Sequence, residues 1–525
     1  MPRVWYQINQ RKQPENAVKI QVWWRQALEV RAAKKPLRRL FEGDVTGLTG
    51  LRCLVLIGAH DDVLGTWARA MIRLGPEAIL AHALGKHSPS WLVLIRKASL
   101  MLFQALAHEP ESSDASSYLD ILMVLLSKEH AVAVSGVQGS AFCQAITEYL
   151  MEKQFYGVLK KAMSKLPIEN STSFPLFLSL CTLPLSTYPE NSPQFNEIYV
   201  AIFVRILSLP LLPNRLSPDN PSPFISRFLL ANLDKLTPLI GSITGYVSPD
   251  LAANVFMFIS PFYKWLSTAA WASYLELSTT LINGFNGYSL YSSSQSESQT
   301  NPVDYDSVLS DGDTDYEDFE LEKDSYPDTW EVNRQTIKWL EQIPTAPHIT
   351  DLIALTQSQA SLLPHFVDYL FTVTATWPTY QKEIQNIVLA SGGLVKILYR
   401  ELVRRSPLGQ EEDSMNVYKE ALTAHWPPII FLADLYSQAL QTMDDDEFLG
   451  NASWSQTCNS LTLAEMASFS AQLLNIVFSL YWRYSDYCHD ENNMHYIHIS
   501  SDVYCSWSSL REKLLRCLWR IYTRE

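Results

Sequence analysis

The chain has 525 residues, of which 47% are hydrophobic, 12% aromatic and only 18% charged, and its formal net charge is −14. That composition can build a sizeable core and excludes wholesale disorder, while the acidic balance argues against a uniformly basic nucleic-acid binder. Glycine is scarce, at 19 residues, which disfavours turn-rich β folds and favours helices.

Residues 1–45 read as a basic helical arm. Residues 1–50 carry ten Lys/Arg and four acids, and the polar start, Met1 to Asn16, contains no apolar secretory segment. Ile20 and Gln21, followed by Trp24 and Arg25, match the start of an IQ motif. Such a helix offers a calmodulin-like partner one apolar and one basic face. Gln26 stands where glycine is usual, Arg31 comes one place late, and Pro36 stops the helix soon after. The plainer reading is a basic helix that rests its tryptophans on the body of the protein. Acidic or lipid surfaces are a third.

Residues 46–286 form the first helical block. Ser192 and Pro193 suit a cap and first turn, and Ile198, Ile202, Ile206 and Leu209 recur at helical spacing behind them. The stretch from Phe224 to Ile240 repeats the pattern with Phe228, Leu229, Leu233 and Leu236. Gly136 and Gly139 are not followed by the pattern of a phosphate cradle. Residues 287–331 read as a disordered acidic linker. Residues 288–330 hold twelve acids and one base, Lys323, so the acidity of the chain is concentrated there. Ser310 and Thr314 each precede an acid by three residues and are candidate phosphosites for an acid-directed kinase; the plainer reading is a solubilising spacer.

Residues 332–525 form the second helical block. Ala464 to Trp482 reads as one long apolar helix, and Leu510, Leu514, Leu515, Leu518, Ile521 and Tyr522 as the stripe of another. Alternation of period two is nowhere sustained. The expected fold is all-α, an irregular α-solenoid of armadillo or HEAT type in two blocks; a less regular helix bundle is the alternative.

Seven scattered cysteines suit reduced, buried thiols and a cytoplasmic or nuclear location. Cys488, His489, Asp490, Glu491, His495 and His498 are ligand types zinc uses, but their spacing matches no finger or ribbon. Cys458 superficially resembles a thioester-forming cysteine, yet nothing around it supports that chemistry. Nucleotide, dinucleotide, zinc-protease and hydrolase motifs are missing. No catalytic residue, metal or cofactor is assigned. No membrane span is expected: the charge-free run from Asn170 to Pro189 is broken by three prolines.

Several segments together resemble the N-terminal region of HECT-type E3 ubiquitin ligases, in the branch that bears an N-terminal IQ helix and includes a proteasome-associated member. In order they are the IQ-like arm; Pro36-Leu37-Arg38-Arg39-Leu40-Phe41; Phe155-Tyr156-Gly157-Val158-Leu159; Phe203 to Leu212 with Arg215-Leu216; Thr442 to Phe448; and Leu510 to Leu515. The resemblance implies a region that binds protein substrates or the proteasome for ubiquitin transfer, with E2-ubiquitin engaged by a HECT domain. This chain does not carry that catalytic domain, and Cys458 lies upstream of where it would begin, so no catalytic role carries over. The alternative is a stand-alone helical adaptor or transport-type scaffold unrelated to ubiquitin.

Overall fold

A computed structural model describes residues 34–58, 61–83, 85, 87–169, 171–190, 192–216, 224–243, 247–284, 332–357, 359–410, 417, 420–448, 459–482, 496–500 and 503–524. Its contacts divide the chain into two compact units, Met1–Phe224 and Ile225–Glu525. The architecture is all-α, with one short antiparallel ribbon among the described residues.

The longer helices of the first unit are α1 (Leu48–Ile57), α2 (Asp61–Leu74), α3 (Pro76–Ala83), α4 (Ser88–His108), α5 (Ala115–Leu126), α6 (Lys128–Glu152), α7 (Phe155–Lys165), α8 (Phe174–Thr187) and α9 (Pro193–Ile206). Each carries buried side chains every three or four residues, such as Leu51, Leu54 and Ile57 on α1, or Leu64, Trp67, Ala68 and Met71 on α2. The packing has a regular step: α1 lies against α4, α2 against α5, α3 against α6, α4 against α7 and α5 against α8. Thus each of the first five helices meets the third helix after it.

Local chemistry fixes the helix ends. Ser192 caps α9 by accepting from the Phe195 amide at 3.2 Å, and Pro193 takes the first turn, as the sequence predicts. Ser127 caps α6 in the same way. Gly136 breaks α6 with φ +54°, and a side chain at Gly139 would meet the Ala131 carbonyl oxygen at 1.8 Å. These two glycines make a kink with close backbone approach. Lys165 Nζ donates to the carbonyls of Ala107 and His108 (2.6 and 3.0 Å), satisfying the end of α4.

In the second unit the longer helices are α10 (Pro249–Ile259), α11 (Thr268–Asn283), α12 (Arg334–Leu340), α13 (Ala346–Gln357), α14 (Leu363–Thr376), α15 (Gln381–Ala390), α16 (Trp426–Thr442), α17 (Leu463–Trp482) and α18 (Trp507–Arg524). A row runs through the core, with α11 on α14, α14 on α16 and α16 on α18, while α17 packs on α18. The acidic stretch, expected as a linker over 287–331, lies outside the described residues and falls in sequence between α11 and α12. Helices α10 and α11 precede it in sequence yet pack on α12 and α14, which follow it. Thr336 Oγ1 donates to Asp250 Oδ1 at 2.7 Å, tying α12 to α10.

Two expectations differ from the structure. The stretch from Phe224 to Ile240 is not one regular helix. It is a π turn (Ile225–Leu229), two 3-10 turns (Leu230–Lys235 and Thr237–Leu239) and the start of a short α turn. Asn232 Nδ2 donates to the carbonyls of Arg227 and Phe228, competing for the helical ladder, and Pro238 has no amide to donate. Second, Tyr496–Ser500 (β1) and Val503–Ser506 (β2) pair antiparallel between α17 and α18, with Ile497 opposite Cys505. Alternation over five and four residues is too short to register as a sustained pattern.

Candidate partner-binding face

The side chains singled out from the sequence lie outside the described residues: Ile20, Gln21, Trp24 and Arg25 of the IQ-like arm, Ser310 and Thr314, Cys458, and Cys488 to His495. Of His498 only the backbone, in β1, is described. Cys53, Cys143, Cys181 and Cys517 are free and buried, and burial raises all four thiol pKa values, which disfavours a reactive thiolate.

Three of the quoted sequence segments hold helices together. Phe155, Tyr156, Val158 and Leu159 are core residues of α7, and the Tyr156 hydroxyl donates to the Cys181 carbonyl at 3.0 Å. Arg215 gathers three carbonyls: Nη1 donates to Met163 and Leu166 (3.1 and 2.9 Å), and Nε to Pro210 (3.2 Å). Its guanidinium lies 5.8 Å from the Phe174 ring. In the Asp-rich segment, Asp444 Oδ1 accepts from the Glu447 amide (2.6 Å), capping a single turn that buries Phe448. Glu447 accepts in turn from the Asn459 amide at 2.9 Å. Sequence alone could not separate these joints from binding motifs.

The second unit also holds a buried polar cluster. His348 on α13 is 3.1 Å from the Tyr369 hydroxyl on α14, and its ring sits between Phe256 and Tyr263. The Tyr263 and Tyr274 hydroxyls are 2.6 Å apart. Burial pushes the His348 imidazole down to about 4 and the Tyr274 phenol up to about 12, so both are neutral at physiological pH. A neutral cluster enclosed by aromatic rings joins helices. Asp368, beside it in sequence on α14, is raised by burial to about 7.

The surface most unlike a solvated one is on α17. A reciprocal capping box opens this helix: the Thr462 amide donates to Glu465 Oε2 (3.0 Å), and the Glu465 amide donates to Thr462 Oγ1 (3.3 Å). Arg400 Nε also donates to Glu465 (2.6 Å). Gln472 turns inward and donates to the carbonyls of Val403 and Leu408, and Asn475 donates to that of Gly409. Gly409 has φ +78°, and a side chain there would meet the Gln472 carbonyl oxygen at 2.6 Å, so only glycine lets α17 come this close. Glu465 is the one charged residue of α17, and it is held at the helix start. What faces water is Leu463, Ala464, Ala467, Ser468, Ala471, Leu474, Phe478 and Tyr481. Leu463, Leu474, Phe478 and Tyr481 are 53–59% exposed.

Helix α18 adds a second strip. Leu510, Leu514, Cys517 and Ile521 are buried, whereas Leu515, Trp519 and Tyr522 lie on another side and are exposed, the last two by 64% and 68%. The single stripe expected over 510–522 is therefore two stripes with different surroundings. The Arg511 guanidinium lies 4.7 Å from the Tyr481 ring, joining the end of α17 to the start of α18. The two helices pack on each other, and each carries an exposed apolar strip. Lys513 pairs with Asp434 (2.9 Å), and Arg520 Nη1 donates to the Ser437 carbonyl and hydroxyl (2.6 and 2.7 Å), which seats α18 on α16. The strips are held by a rigid frame.

Helices α4 and α17 are long and apolar enough to cross a membrane by length and composition alone, with 44% of each apolar window buried in the fold. Arg96 in mid-α4 donates to the Ala145 carbonyl, and Gln472 in mid-α17 is anchored as described, as in core helices. No protein-family model matches the chain, and no curated protein and no solved structure matches it either.

Proposed function

We propose that the chain is a helical-repeat scaffold that binds a protein partner along the α17/α18 face. The observation that carries this reading is the solvent side of α17, where every charged or amide side chain of the helix is turned to the frame and an uncharged strip is left largely exposed. Contiguous exposed apolar surface on a well-packed frame is what protein-docking sites offer. Positions 467, 471, 474, 478 and 481 recur every three or four residues, the spacing that receives an amphipathic helix. Ala467 and Ala471 would permit its close approach.

The three-helix step of the first unit supports an armadillo-type solenoid, since stacking repeats of three helices brings each helix against its counterpart in the next repeat. The order of the sequence segments supports placing this scaffold in ubiquitin conjugation, as a substrate- or proteasome-holding region of a HECT-type ligase. Tethering a substrate near ubiquitin transfer raises its effective concentration.

Two experiments test the reading. With ubiquitin, E1 and a panel of E2 enzymes, a non-reducing gel should show no reducible ubiquitin adduct on this chain; an adduct on Cys458 would make it catalytic itself. Proximity labelling in cells should mark ubiquitin-pathway proteins with the wild-type chain and lose them with Leu474→Asp. Marking of unrelated proteins with the same Leu474 dependence would favour the stand-alone adaptor.

A further inference from the structure

We propose that the α17/α18 face is covered by a second copy of this chain, with α17 of each copy running antiparallel along the other. The inference rests on the reading of that face as a docking site and names the partner that the order of its side chains fits.

The exposed residues of α17 define that partner. Ala464, Ala467, Ala471, Leu474, Phe478 and Tyr481 recur at alternating steps of three and four. This is the seven-residue repeat of a two-helix seam, held over about 26 Å of helix. The order within it is uneven: the first three positions are alanines and the last three are large. In two antiparallel copies a single register sets Ala464 opposite Tyr481, Ala467 opposite Phe478 and Ala471 opposite Leu474. Two-fold symmetry repeats each pair across the axis, so one helix supplies both halves of every contact. Small residues facing large ones interdigitate without voids or overlap. A parallel pair would set alanine on alanine at one end and crowd tyrosine on tyrosine at the other.

Charge does not oppose the pairing. Glu465, the one charged residue of α17, is held by Arg400 and the Thr462 amide, and the seam is flanked by Ser468, Ser470 and Asn475. No like charges meet and no unpaired ion is buried. Gln472 and Asn475 already fix the helix to its frame, so little ordering is needed when it pairs.

The face is also large enough. Arg511 shares one side of α18 with Leu515, Trp519 and Tyr522, by helical spacing, and its guanidinium lies 4.7 Å from the Tyr481 ring. The α18 strip therefore starts where the α17 strip ends. Phe478, Tyr481, Trp519 and Tyr522 are 53–68% exposed. At about 150–250 Å² for a whole aromatic side chain, these four leave roughly 500 Å² uncovered. Leu463, Leu474, Leu515 and the alanines bring the face close to the roughly 800 Å² that each partner contributes to a standard stable interface. An interface of this size without charge pairs belongs in the micromolar range, so dilute samples hold the monomer.

The test uses the full chain in sedimentation velocity across a concentration series. The native chain should shift from monomer to dimer as concentration rises, and Leu474→Asp should stay monomeric throughout while its circular dichroism remains native. Cysteine pairs read direction and register. In the antiparallel dimer the two Ala467 sites lie about 16 Å apart, too far for a disulfide, whereas each Ala467 faces a Phe478. Oxidising Ala467→Cys mixed with Phe478→Cys should therefore link two chains, and neither variant alone should link beyond the native chain. A native chain that stays monomeric would overturn the second copy, while the Leu474 dependence of the proximity labelling would still decide the docking face by itself. A dimer unmoved by Leu474→Asp, or links formed equally within either cysteine variant alone, would overturn this interface. Capture of the native chain but not of Leu474→Asp by phosphatidylcholine vesicles, with no dimer, would give the face to a lipid surface and overturn the proposal.

Discussion

The end of the helix row in the first unit and its counterpart in the second finish in opposite ways. After α9, Arg215 draws three carbonyls and an aromatic ring together, and Leu209, Leu211 and Leu212 are buried beneath. On α17, by contrast, the amide side chains of Gln472 and Asn475 are engaged by the frame while Leu474 and Tyr481 face water, as Trp519 and Tyr522 do on α18. Both regions are anchored by buried hydrogen bonds to backbone carbonyls. Exposed apolar side chains on a packed frame are surface that the fold itself does not use.

That contrast can be tested residue by residue. The largest effect is expected from Leu473→Ala, which empties a fully buried site on α17 and should cost about 2–5 kcal/mol in denaturant unfolding. A loss under about 1 kcal/mol would mean the frame behind the face is not rigid. Next, Arg215→Ala leaves three carbonyls short of a donor and should destabilise the first unit by about 1–3 kcal/mol. Read by urea titration, an unchanged midpoint would show that the first row is not closed by this residue.

Asp368→Asn should act with pH. The folded carboxyl, at about 7, holds its proton far above the ordinary value of 3.8, so its burden on stability is absent in acid, grows as pH rises and is complete above about 7. The amide should therefore stabilise by about 1–2 kcal/mol at pH 8 and by nothing at pH 4. Thermal melts across that range would read it, and a pH-independent gain would assign the effect to packing. The smallest effect belongs to Leu474→Ser, one residue from Leu473. It should change stability by less than about 0.5 kcal/mol, and matched unfolding curves for the two neighbours would show directly which side of α17 the fold requires.

Much of the all-α architecture was legible in the residues. Ser192-Pro193 announces α9, and the apolar run from Ala464 gives α17 to within one residue of its start. Asn232 and Pro238 spoiled the next pattern because side-chain donors and a missing amide compete with the ladder, which periodicity does not record. The exposed strip was illegible for a different reason. A helix apolar on nearly all sides reads as buried throughout, and only the positions of α16 and α18 reveal which side is left over. Likewise, Leu515 and Tyr522 fit the same spacing as Leu514 and Ile521, and the difference between them is tertiary.

The three-helix step of the first unit also sets a timetable for synthesis. Helix α1 ends at Ile57, but its partner α4 begins only at Ser88. At roughly 5–20 residues per second, Leu51, Leu54 and Ile57 leave the ribosome seconds before the surface that will cover them exists. Each following helix inherits the same delay from its own partner. The nascent chain thus carries, behind its growing end, apolar side chains whose third-on partner is still to be made, a passing substrate for chaperones.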